Sequence, residues 1–358
     1  MGKFKNIITA LFLFPSLGAA EQFWVADPSP PRFCMQNFNA YGPIYAKDVV
    51  ERTSRMNSEL QAMPKCDVVH LQEVWNDSQI FQVEDDLRRH YSFSSPNKES
   101  RIGLMSLTKG DIVGTETHQF KINSDGGVLD TARSLADVKK AFHVMRNQFF
   151  GIDEDLLFLN MHLHPSSQAV RLTQIMDILK WRLANQDAKW IMTGDLNADP
   201  KSLEHRFVKY VLGMRDSLEE ELKGYPRGVC TYCARNPRGW MLSDHVFDYI
   251  FYSNVGESKT QFKILSSFVN MRGTPLRPLS DHFGVRTNFS VDPEWSLITE
   301  SEMQIRLNEA IKALVETQKV FAVQKDLAFL EYAELVEKMI QGLRQDVGPH
   351  NEYFKKFR

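Results

Sequence analysis

Six short stretches of the chain place polar side chains at the end of an apolar run that is typical of a buried strand. One such feature alone is more typical of a turn or a cap than of a ligand. Together they indicate a single site, because burying so many polar groups costs free energy unless a metal or a substrate binds them. The stretches contain Asn37 and Asn39; Glu73; Asn160, His162 and His164; Asp195 and Asn197; Asp248; and Asp281 with His282.

These residue types suit one kind of chemistry. Carboxylate and carboxamide oxygens are hard ligands that favour Mg²⁺, with Mn²⁺ as a substitute. Hydrolysis of a phosphodiester requires its charge to be neutralised, a water to be activated and a leaving oxygen to be protonated. Metal-binding carboxylates, histidines oriented by acids and asparagine donors supply those functions.

Common motifs of other hydrolases and of nucleotide-binding proteins are missing. No Walker A, GxSxG or GxGxxG pattern precedes a suitable helix. The sequence therefore gives no support to the usual NTPase, serine-hydrolase or dinucleotide-binding alternatives.

Alternating strands and helices must position these side chains. Two stretches, 46–61 and 168–185, have apolar residues at helical spacing. Strands bounded by polar turns, with helices between them, predict an α/β sandwich. The predicted strands are Phe33–Asn39, Val68–Gln72, Gly103–Leu107, Leu156–His162, Trp190–Gly194, Val246–Tyr252 and Gly284–Asn288.

Length and charge limit the function further. With 358 residues, 43% of them hydrophobic, the chain can build one large domain or two modest ones. Its formal net charge of -2 excludes a basic nucleic-acid arm, although a nuclease that holds its substrate through a metal needs no basic excess. After the N-terminus no apolar stretch approaches about 18 residues, which excludes a polytopic membrane protein.

Residues 1–20 have the order of a secretory signal peptide. Lys3 and Lys5 precede an apolar run, and Gly18-Ala19-Ala20 resembles a cleavage site. The alternative is a buried first helix or strand. We expect cleavage and export, so that the mature protein is secreted or periplasmic.

Export makes the four cysteines relevant. Cys230 and Cys233 have no second pair at zinc spacing and no thioredoxin-like context, which favours a local disulfide. Cys34 and Cys66 stand at the starts of two predicted strands. They are either apolar fillers or a second bridge, and we favour fillers.

The composition changes after about residue 295. From 301 to 343 no proline occurs, and the apolar residues form two helical stripes. We therefore predict a catalytic domain over residues 21–295 and an amphipathic helical extension over 296–358. The two helices either pack on the main domain or bind a partner, a membrane surface or a second copy. The stripes contain Leu307, Ile311, Leu314 and Phe321, and Tyr332, Val336, Met339 and Leu343.

The order Asn, Gln-Glu, His, Gly-Asp-Leu-Asn, Asp-Tyr, Ser-Asp-His resembles the endonuclease/exonuclease/phosphatase superfamily from about Phe33 to Asn288. The resemblance implies a four-layer α/β sandwich in which two mixed sheets pack between helices. It also implies roles for the polar residues. Glu73 resembles the principal Mg²⁺ ligand, with Asn37 beside it and Asp281 as a metal or outer ligand. Asp195 and Asn197 resemble the pair that positions the attacking water and holds the phosphate. His282 resembles the general base, and Asp248 resembles the carboxylate that orients it. His162 resembles the histidine that stabilises the phosphate or protonates the leaving group.

Other short sequence motifs resemble one branch of this superfamily, the neutral sphingomyelinases. They are the NMHLHP stretch, GVCTYCARNP and LSDHFGV, whereas Ala141 replaces the glycine of a Lys-Gly-aromatic stretch in that branch. The Trp-Cys-Asp-Arg signature of inositol phosphatases is absent from the sequence. The leading hypothesis is an exported Mg²⁺-dependent phosphodiesterase that acts on a phospholipid head group at a membrane. The alternatives are a secreted nuclease resembling deoxyribonuclease I, and a catalytically silent scaffold that binds a partner through the C-terminal helices.

Overall fold

Twelve strands in the part of the chain that the structure describes form two six-stranded sheets. The structure is a computed structural model that describes residues 30–42, 48–96, 101–124, 139–185, 189–253, 261–291 and 299–345. The predicted signal peptide lies outside these residues. The strands are β1 (Arg32–Gly42), β2 (Val68–Val74), β3 (Ser92–Ser94), β4 (Met105–Thr108), β5 (Asp111–Gln119), β6 (Ala141–Gln148), β7 (Leu156–His162), β8 (Lys189–Asp195), β9 (Arg215–Asp216), β10 (Asp248–Tyr252), β11 (Phe262–Asn270) and β12 (Gly284–Val291).

Both sheets are mixed. The first has the order β11-β12-β1-β2-β4-β3, and its parallel pair is β1 with β2. The second has the order β5-β6-β7-β8-β10-β9, and its parallel pair is β7 with β8. Each parallel pair lies near the centre of its sheet, where strands are covered on both faces and read as continuous apolar runs.

The two sheets pack face to face through a core that both supply. The ring of Phe33 on β1 stacks on Phe289 of its own sheet, at 5.2 Å between centroids, and meets Phe158 of the other sheet edge-on at 5.7 Å. Ile191 and Ile250 of the second sheet belong to the same buried cluster. The alternating inward residues of the central strands therefore specify the sandwich.

Seven α-helices of the described residues flank the sheets. Met56 and Ile80, from the first two helices, pack with Phe38 of the first sheet. The other sheet is covered mainly by the third helix and the two C-terminal ones. The helices are α1 (Val49–Ala62), α2 (Asp77–Leu87), α3 (Gln168–Ala184), α4 (Leu203–Arg206), α5 (Ser217–Leu222), α6 (Glu300–Ala322) and α7 (Leu330–Gln345). The predicted fold class, a four-layer α/β sandwich with a C-terminal helical extension, is confirmed.

The C-terminal helices α6 and α7 share the core of the main domain. Leu314 of α6 and Val336 of α7 are fully buried in one apolar cluster with Leu179 and Val208. The hydroxyl of Tyr332 also donates to Asp177, at 2.8 Å. Of the two predicted alternatives, the described residues display packing on the domain itself, and the exact boundaries 295 and 296 stay predictions.

The described residues contain two disulfides. The predicted Cys230–Cys233 bond is confirmed. The preference for apolar fillers at Cys34 and Cys66 is wrong, because these residues are bonded to each other. Met35 pairs with Val68 across the parallel strands β1 and β2, which brings Cys34, one residue before Met35, close to Cys66, two residues before Val68. A sequence alone does not give this register.

Among the residues that the structure describes, no helix combines the length and the apolar character that crossing a membrane would need.

Candidate active site

The polar residues meet where the central strands of both sheets end. Asp195 closes β8, beside His162 at the end of the parallel strand β7 and opposite Asp248 at the start of β10. A glycine permits this close approach. A Cβ atom on Gly194 would lie 1.9 Å from the carbonyl oxygen of Met161, so only glycine fits there.

Asp195 lies at the centre of the site and is buried. Its Oδ2 atom lies 3.5 Å from Nε2 of His162 and 3.8 Å from Nε2 of His282. It also accepts a hydrogen bond from Nδ2 of Asn39 on the other sheet, at 3.1 Å. Burial raises the pKa of Asp195 to about 7, with the negative charge of Asp248 adding to this effect and the positive charge of His282 opposing it.

His282 and Asp248 form a buried pair. Nδ1 of His282 lies 2.7 Å from Oδ2 of Asp248, which leaves Nε2 on the side of Asp195. Burial alone would lower the pKa of His282, but the charges of Asp248, Asp281 and Asp195 raise it well above its usual value. An imidazole oriented by a carboxylate is the usual arrangement of a general base.

Lys140 and His162 form a second pair. The Nζ atom of Lys140 lies 2.7 Å from Nε2 of His162, and both residues are buried. Since a lysine ammonium can only donate, the imidazole nitrogen accepts in this contact. Oε1 of Glu73 lies 3.8 Å from the same nitrogen. A positive group therefore lies within a cluster of acids, where it can meet a phosphate.

Glu73, Asn37 and Asp281 are the metal ligands that the sequence predicts. Glu73 has a φ of 57°, an uncommon conformation for a residue with a side chain and one that functional sites often hold. Nδ2 of Asn37 is buried without a hydrogen-bond partner among the described residues. Burial raises the pKa of Asp281 to about 6, with the negative charge of Glu73 adding to this effect and His282 opposing it.

A divalent cation fits this donor set. The oxygens of two carboxylates and a carboxamide are the ligands that Mg²⁺ prefers. Repulsion between Glu73 and Asp281 is what a bound cation would relieve. The roles of Glu73, Asn37 and Asp281 as ligands stay predictions.

Asn197 has a structural task that its sequence motif does not reveal. Its backbone N–H donates to Oδ1 of Asp195 at 2.8 Å, and its Nδ2 donates to the carbonyl of Leu163 at 3.1 Å. With a φ of 51°, it forms the turn after β8 that fixes the carboxylate of Asp195. Its predicted role in holding the phosphate stays a prediction and would fall to the second N–H of Nδ2, because phosphate oxygens only accept hydrogen bonds.

A carboxamide network under the site joins the two sheets. Nε2 of Gln72 donates to Oδ1 of Asn37 at 2.8 Å and to Oδ1 of Asn160 at 2.7 Å. Asn160 in turn donates to the carbonyls of Leu71 and Met105, both at 3.1 Å. The residues to which the sequence assigns a catalytic or metal-binding role omit Gln72, Asn160 and Lys140, although all three are polar residues within or next to an apolar strand. The signal available in the sequence was a polar residue within or beside an apolar run.

Comparison with protein families gives one match over most of the chain. The model of the endonuclease/exonuclease/phosphatase family matches residues 37–282, from the first predicted site residue to the last. A protein of Drosophila melanogaster named "Putative neutral sphingomyelinase" is 27% identical over 229 residues, which are 58% of this chain and 50% of that protein. The chain thus spans about half the length of this relative.

Solved structures share the fold. The structure of D. rerio TDP2 complexed with single strand DNA product has a TM-score of 0.57 and 19% identity, covering 72% of this chain and 99% of that one. Beta toxin 275-280 from Staphylococcus aureus has a TM-score of 0.54 and 15% identity, covering 71% and 99%. At such identities the likeness extends to the fold alone.

Proposed function

Because the chain belongs to the endonuclease/exonuclease/phosphatase family, we propose that it is a Mg²⁺-dependent phosphodiesterase that hydrolyses the head-group bond of a phospholipid such as sphingomyelin. The observation that carries the proposal is the surrounding of Asp195. Its Oδ2 atom lies within 3.8 Å of Nε2 atoms from two different histidines, His162 and His282. Each histidine is held by its own charged partner, which is the arrangement that one proton acceptor and one proton donor require.

The acidic residues would hold the cation. Glu73, Asn37 and Asp281 offer its oxygen ligands, and a Mg²⁺ ion bound there would neutralise charge on the phosphodiester and weaken the negative field that raises the pKa of His282. His282 must lose the proton on Nε2 before it can act as a base. Family members share the hydrolytic chemistry, whereas the choice of Mg²⁺ is part of the proposal.

His282 would then accept a proton from the attacking water. The contact with Asp248 assigns the protonated nitrogen to Nδ1, so Nε2 is the atom that takes up the proton. Asp195, at 3.8 Å from that nitrogen, would orient the water for attack in line with the leaving oxygen. Replacement of His282 by alanine should lower turnover by about 10²-fold or more.

Lys140 and His162 would act on the phosphate and the leaving group. The ammonium of Lys140 places a positive charge beside Glu73 and Asp195. Through its contact with Nε2 of His162, the ammonium can give that nitrogen a proton, which His162 would then pass to the departing oxygen, leaving a neutral amine on Lys140. The leaving group of the proposed reaction is the lipid alcohol, which needs that proton.

An apolar rim supports a lipid substrate over a nucleic acid. Trp240 and Leu242 are 78% and 99% exposed. The backbone N–H of Trp240 donates to the hydroxyl of Tyr232 at 2.8 Å, and the ring of Tyr232 contacts His282. Exposed aromatic and aliphatic side chains next to a polar site favour the interface of a membrane. Trp75 is half-buried and lies near Lys140.

Export is also a proposal. The predicted signal peptide and the two disulfides together favour an oxidising compartment. Mass spectrometry of the protein from the medium or the periplasm should give an N-terminus close to residue 21. An intact Met1 in protein recovered from the cytoplasm alone would contradict export.

The test of the function uses two substrates in parallel. The protein is incubated with sphingomyelin vesicles, with release of phosphocholine as the readout, and with supercoiled plasmid DNA, with nicking as the readout. Each assay includes Mg²⁺ at a millimolar concentration, an EDTA control, the variant His282→Ala and the matched variant His90→Ala. His90 lies in the turn that follows α2 and is half-buried.

The proposal expects Mg²⁺-dependent release of phosphocholine that His282→Ala loses and His90→Ala keeps. Nicking of DNA without lipid hydrolysis would move the protein to the nuclease alternative, with the same residues in the same roles. Failure of the wild type on both substrates, despite a folded protein, would favour the silent scaffold and overturn the proposal.

A further inference from the structure

The Cys230–Cys233 disulfide lies directly behind the His282–Asp248 pair. Both cysteines are buried and form an apolar cluster with Phe283, the residue that follows His282. Between them the chain contains only Thr231 and Tyr232. Thr231 contacts Asp248 and Tyr232 contacts His282, and the proposed reaction assigns no role to either residue.

Thr231 holds the backbone that carries Asp248. Its Oγ1 atom accepts hydrogen bonds from the N–H groups of Phe247, at 2.9 Å, and of Asp248 itself, at 3.2 Å. Its own carbonyl accepts from the N–H of Phe283, at 2.7 Å. One fully buried threonine therefore bonds to Asp248 and to the neighbour of His282.

Tyr232 holds the imidazole from the other side. Its ring meets the ring of His282 edge-on, with 5.0 Å between centroids and 79° between planes. Its backbone exchanges hydrogen bonds with His245, at 3.0 and 2.8 Å, which ties the segment to the start of β10. Only 3% of Tyr232 is exposed, so the ring has little room to move.

The segment after the disulfide fixes the remaining neighbour. The backbone N–H of Asn236 donates to the carbonyl of Cys233, at 2.8 Å. Its Nδ2 donates to the carbonyls of Ser280 and Asp281, both at 3.0 Å. The disulfide loop and its continuation thus bond to the residues on both sides of His282.

We propose that Thr231 and Tyr232, locked in place by the Cys230–Cys233 disulfide, are positioning residues that keep His282 and Asp248 in register for proton transfer. The inference rests on the proposed function for its reaction. Misplacing a reacting group by about 1 Å can cost about 10²-fold in rate. The disulfide therefore serves turnover more than it serves global stability.

The chain contains a matched control for this claim. The Cys34–Cys66 disulfide joins residues that are 32 positions apart in the sequence, whereas Cys230 and Cys233 are 3 positions apart. Because a disulfide stabilises mainly by restricting the unfolded chain, the longer loop should give the larger effect on stability. If the Cys230–Cys233 loop serves positioning, stability should depend mainly on the Cys34–Cys66 disulfide and kcat mainly on the Cys230–Cys233 disulfide.

The experiment compares the double variants Cys230→Ala/Cys233→Ala and Cys34→Ala/Cys66→Ala with the wild type. The first should lower kcat by about 10-fold or more with little change in KM, and should lower the melting temperature less than the second. The second should keep kcat at a temperature where it is folded. The opposite ranking for kcat would overturn the inference.

Single variants test the two positioning residues. Thr231→Val keeps the shape but leaves two buried N–H groups without their acceptor, so kcat should fall by about 10-fold. Thr231→Ser restores the hydroxyl and should recover most of that loss. Tyr232→Leu should lower kcat, whereas Tyr232→Phe keeps the ring on His282 and should recover it. Equal loss in the conservative and the disruptive variants would point to stability alone and contradict positioning.

A readout without activity separates this inference from the proposed function. The proton on Nδ1 of His282, bonded to Asp248, should give a downfield NMR resonance that His282→Gln removes. Thr231→Val and Cys230→Ala/Cys233→Ala should shift or broaden it, while Cys34→Ala/Cys66→Ala should not. A wild type that hydrolyses nothing refutes the proposed function only. An unchanged resonance in the Thr231 and Cys230/Cys233 variants refutes the positioning role.

Discussion

The ammonium of Lys140 lies 2.7 Å from Nε2 of His162, with both side chains buried beside the carboxylates of Glu73 and Asp195. This contact joins the residue just before β6 to the end of β7 at the centre of the site. It brings a lysine ammonium into the site, so that a donor other than a metal ion is present there. The charge lies where a phosphate would approach two acids, and it makes Lys140 the natural partner of His162.

Replacement of Lys140 should therefore impair catalysis more than folding. In Lys140→Met, kcat should fall by about 10²-fold, because a charged donor to the transition state is lost in a site with little water. Lys139→Met removes the same charge from the exposed neighbouring side chain and should keep most of the activity. Steady-state kinetics on both variants check this. Equal activity of the two would show that Lys140 has no part in the reaction.

Burial of Arg52 predicts a large effect on stability. Its guanidinium donates to the carbonyls of Ala40, at 3.1 Å, Tyr41, at 2.6 Å, and Leu279, at 3.0 Å, and only 1% of the residue is exposed. Arg52→Met should lower the free energy of unfolding by about 3–5 kcal/mol, because buried acceptors and the partner Asp48 lose their donor.

Arg55, one turn later on α1, provides the matched control for Arg52. Its side chain is 25% exposed and forms an ion pair with Glu51. Arg55→Met should cost about 1 kcal/mol or less. Urea denaturation of both variants measures the difference, and similar costs at the two positions would refute the account of Arg52.

The C-terminal helices should unfold together with the main domain. Leu314→Ala removes a fully buried side chain from the shared core and should cost about 3 kcal/mol, whereas Ile305→Ala, at a residue 61% exposed, should change stability by about 0.5 kcal/mol or less. Calorimetry should give one transition for the wild type and for both variants. Two separate transitions would mean that the extension is an independent unit.

Two buried histidines predict a loss of stability in mild acid. Burial lowers the pKa of His143 to about 4, and that of His70 well below its usual value. His143 is neutral between Ser94 and Thr117, at 2.8 and 2.9 Å. In the unfolded chain, His143 should have a pKa of about 6.5. Between about pH 4 and pH 6.5 the unfolded chain therefore binds a proton at this residue, whereas the folded chain does not. The free energy of unfolding consequently falls as the pH falls through this window.

The variant His143→Gln tests this pH dependence. Between pH 7 and pH 5 the wild type should lose about 2 kcal/mol through this histidine, at a slope of about 1.4 kcal/mol per pH unit, and the variant should not. Urea denaturation at both pH values gives the comparison, with His90→Gln as the control. An identical pH dependence of wild type and His143→Gln would contradict a neutral buried His143.

The sequence predicted the central strands and missed the edges. All seven predicted strands overlap strands of the structure, since central strands are apolar on both faces. Four of the five missed strands, β3, β5, β9 and β11, are the outer strands of the two sheets. Strand β5, with the sequence DIVGTETHQ, is exposed along most of its length, so no apolar run marks it.

The site could be predicted in its residues but not in its contacts. The motif order identified His282, Asp248 and Asp195, whose mutual distances follow from strand pairing that no single segment encodes. The missed strand β6 explains why Lys140, just before it, was not a predicted site residue, because AFHVMRNQ mixes apolar and polar side chains. The bond between Cys34 and Cys66 likewise depends on the register of β1 and β2.

The most direct test of the central claim is the Mg²⁺ dependence of phosphocholine release from sphingomyelin vesicles, measured for the wild type and for Glu73→Gln after removal of metal with EDTA. The account predicts no activity in EDTA, full recovery of the wild type on addition of Mg²⁺, and a loss of about 10²-fold or more in Glu73→Gln at the same Mg²⁺ concentration. Activity of the wild type that EDTA leaves unchanged, or a Glu73→Gln variant as active as the wild type, would contradict it.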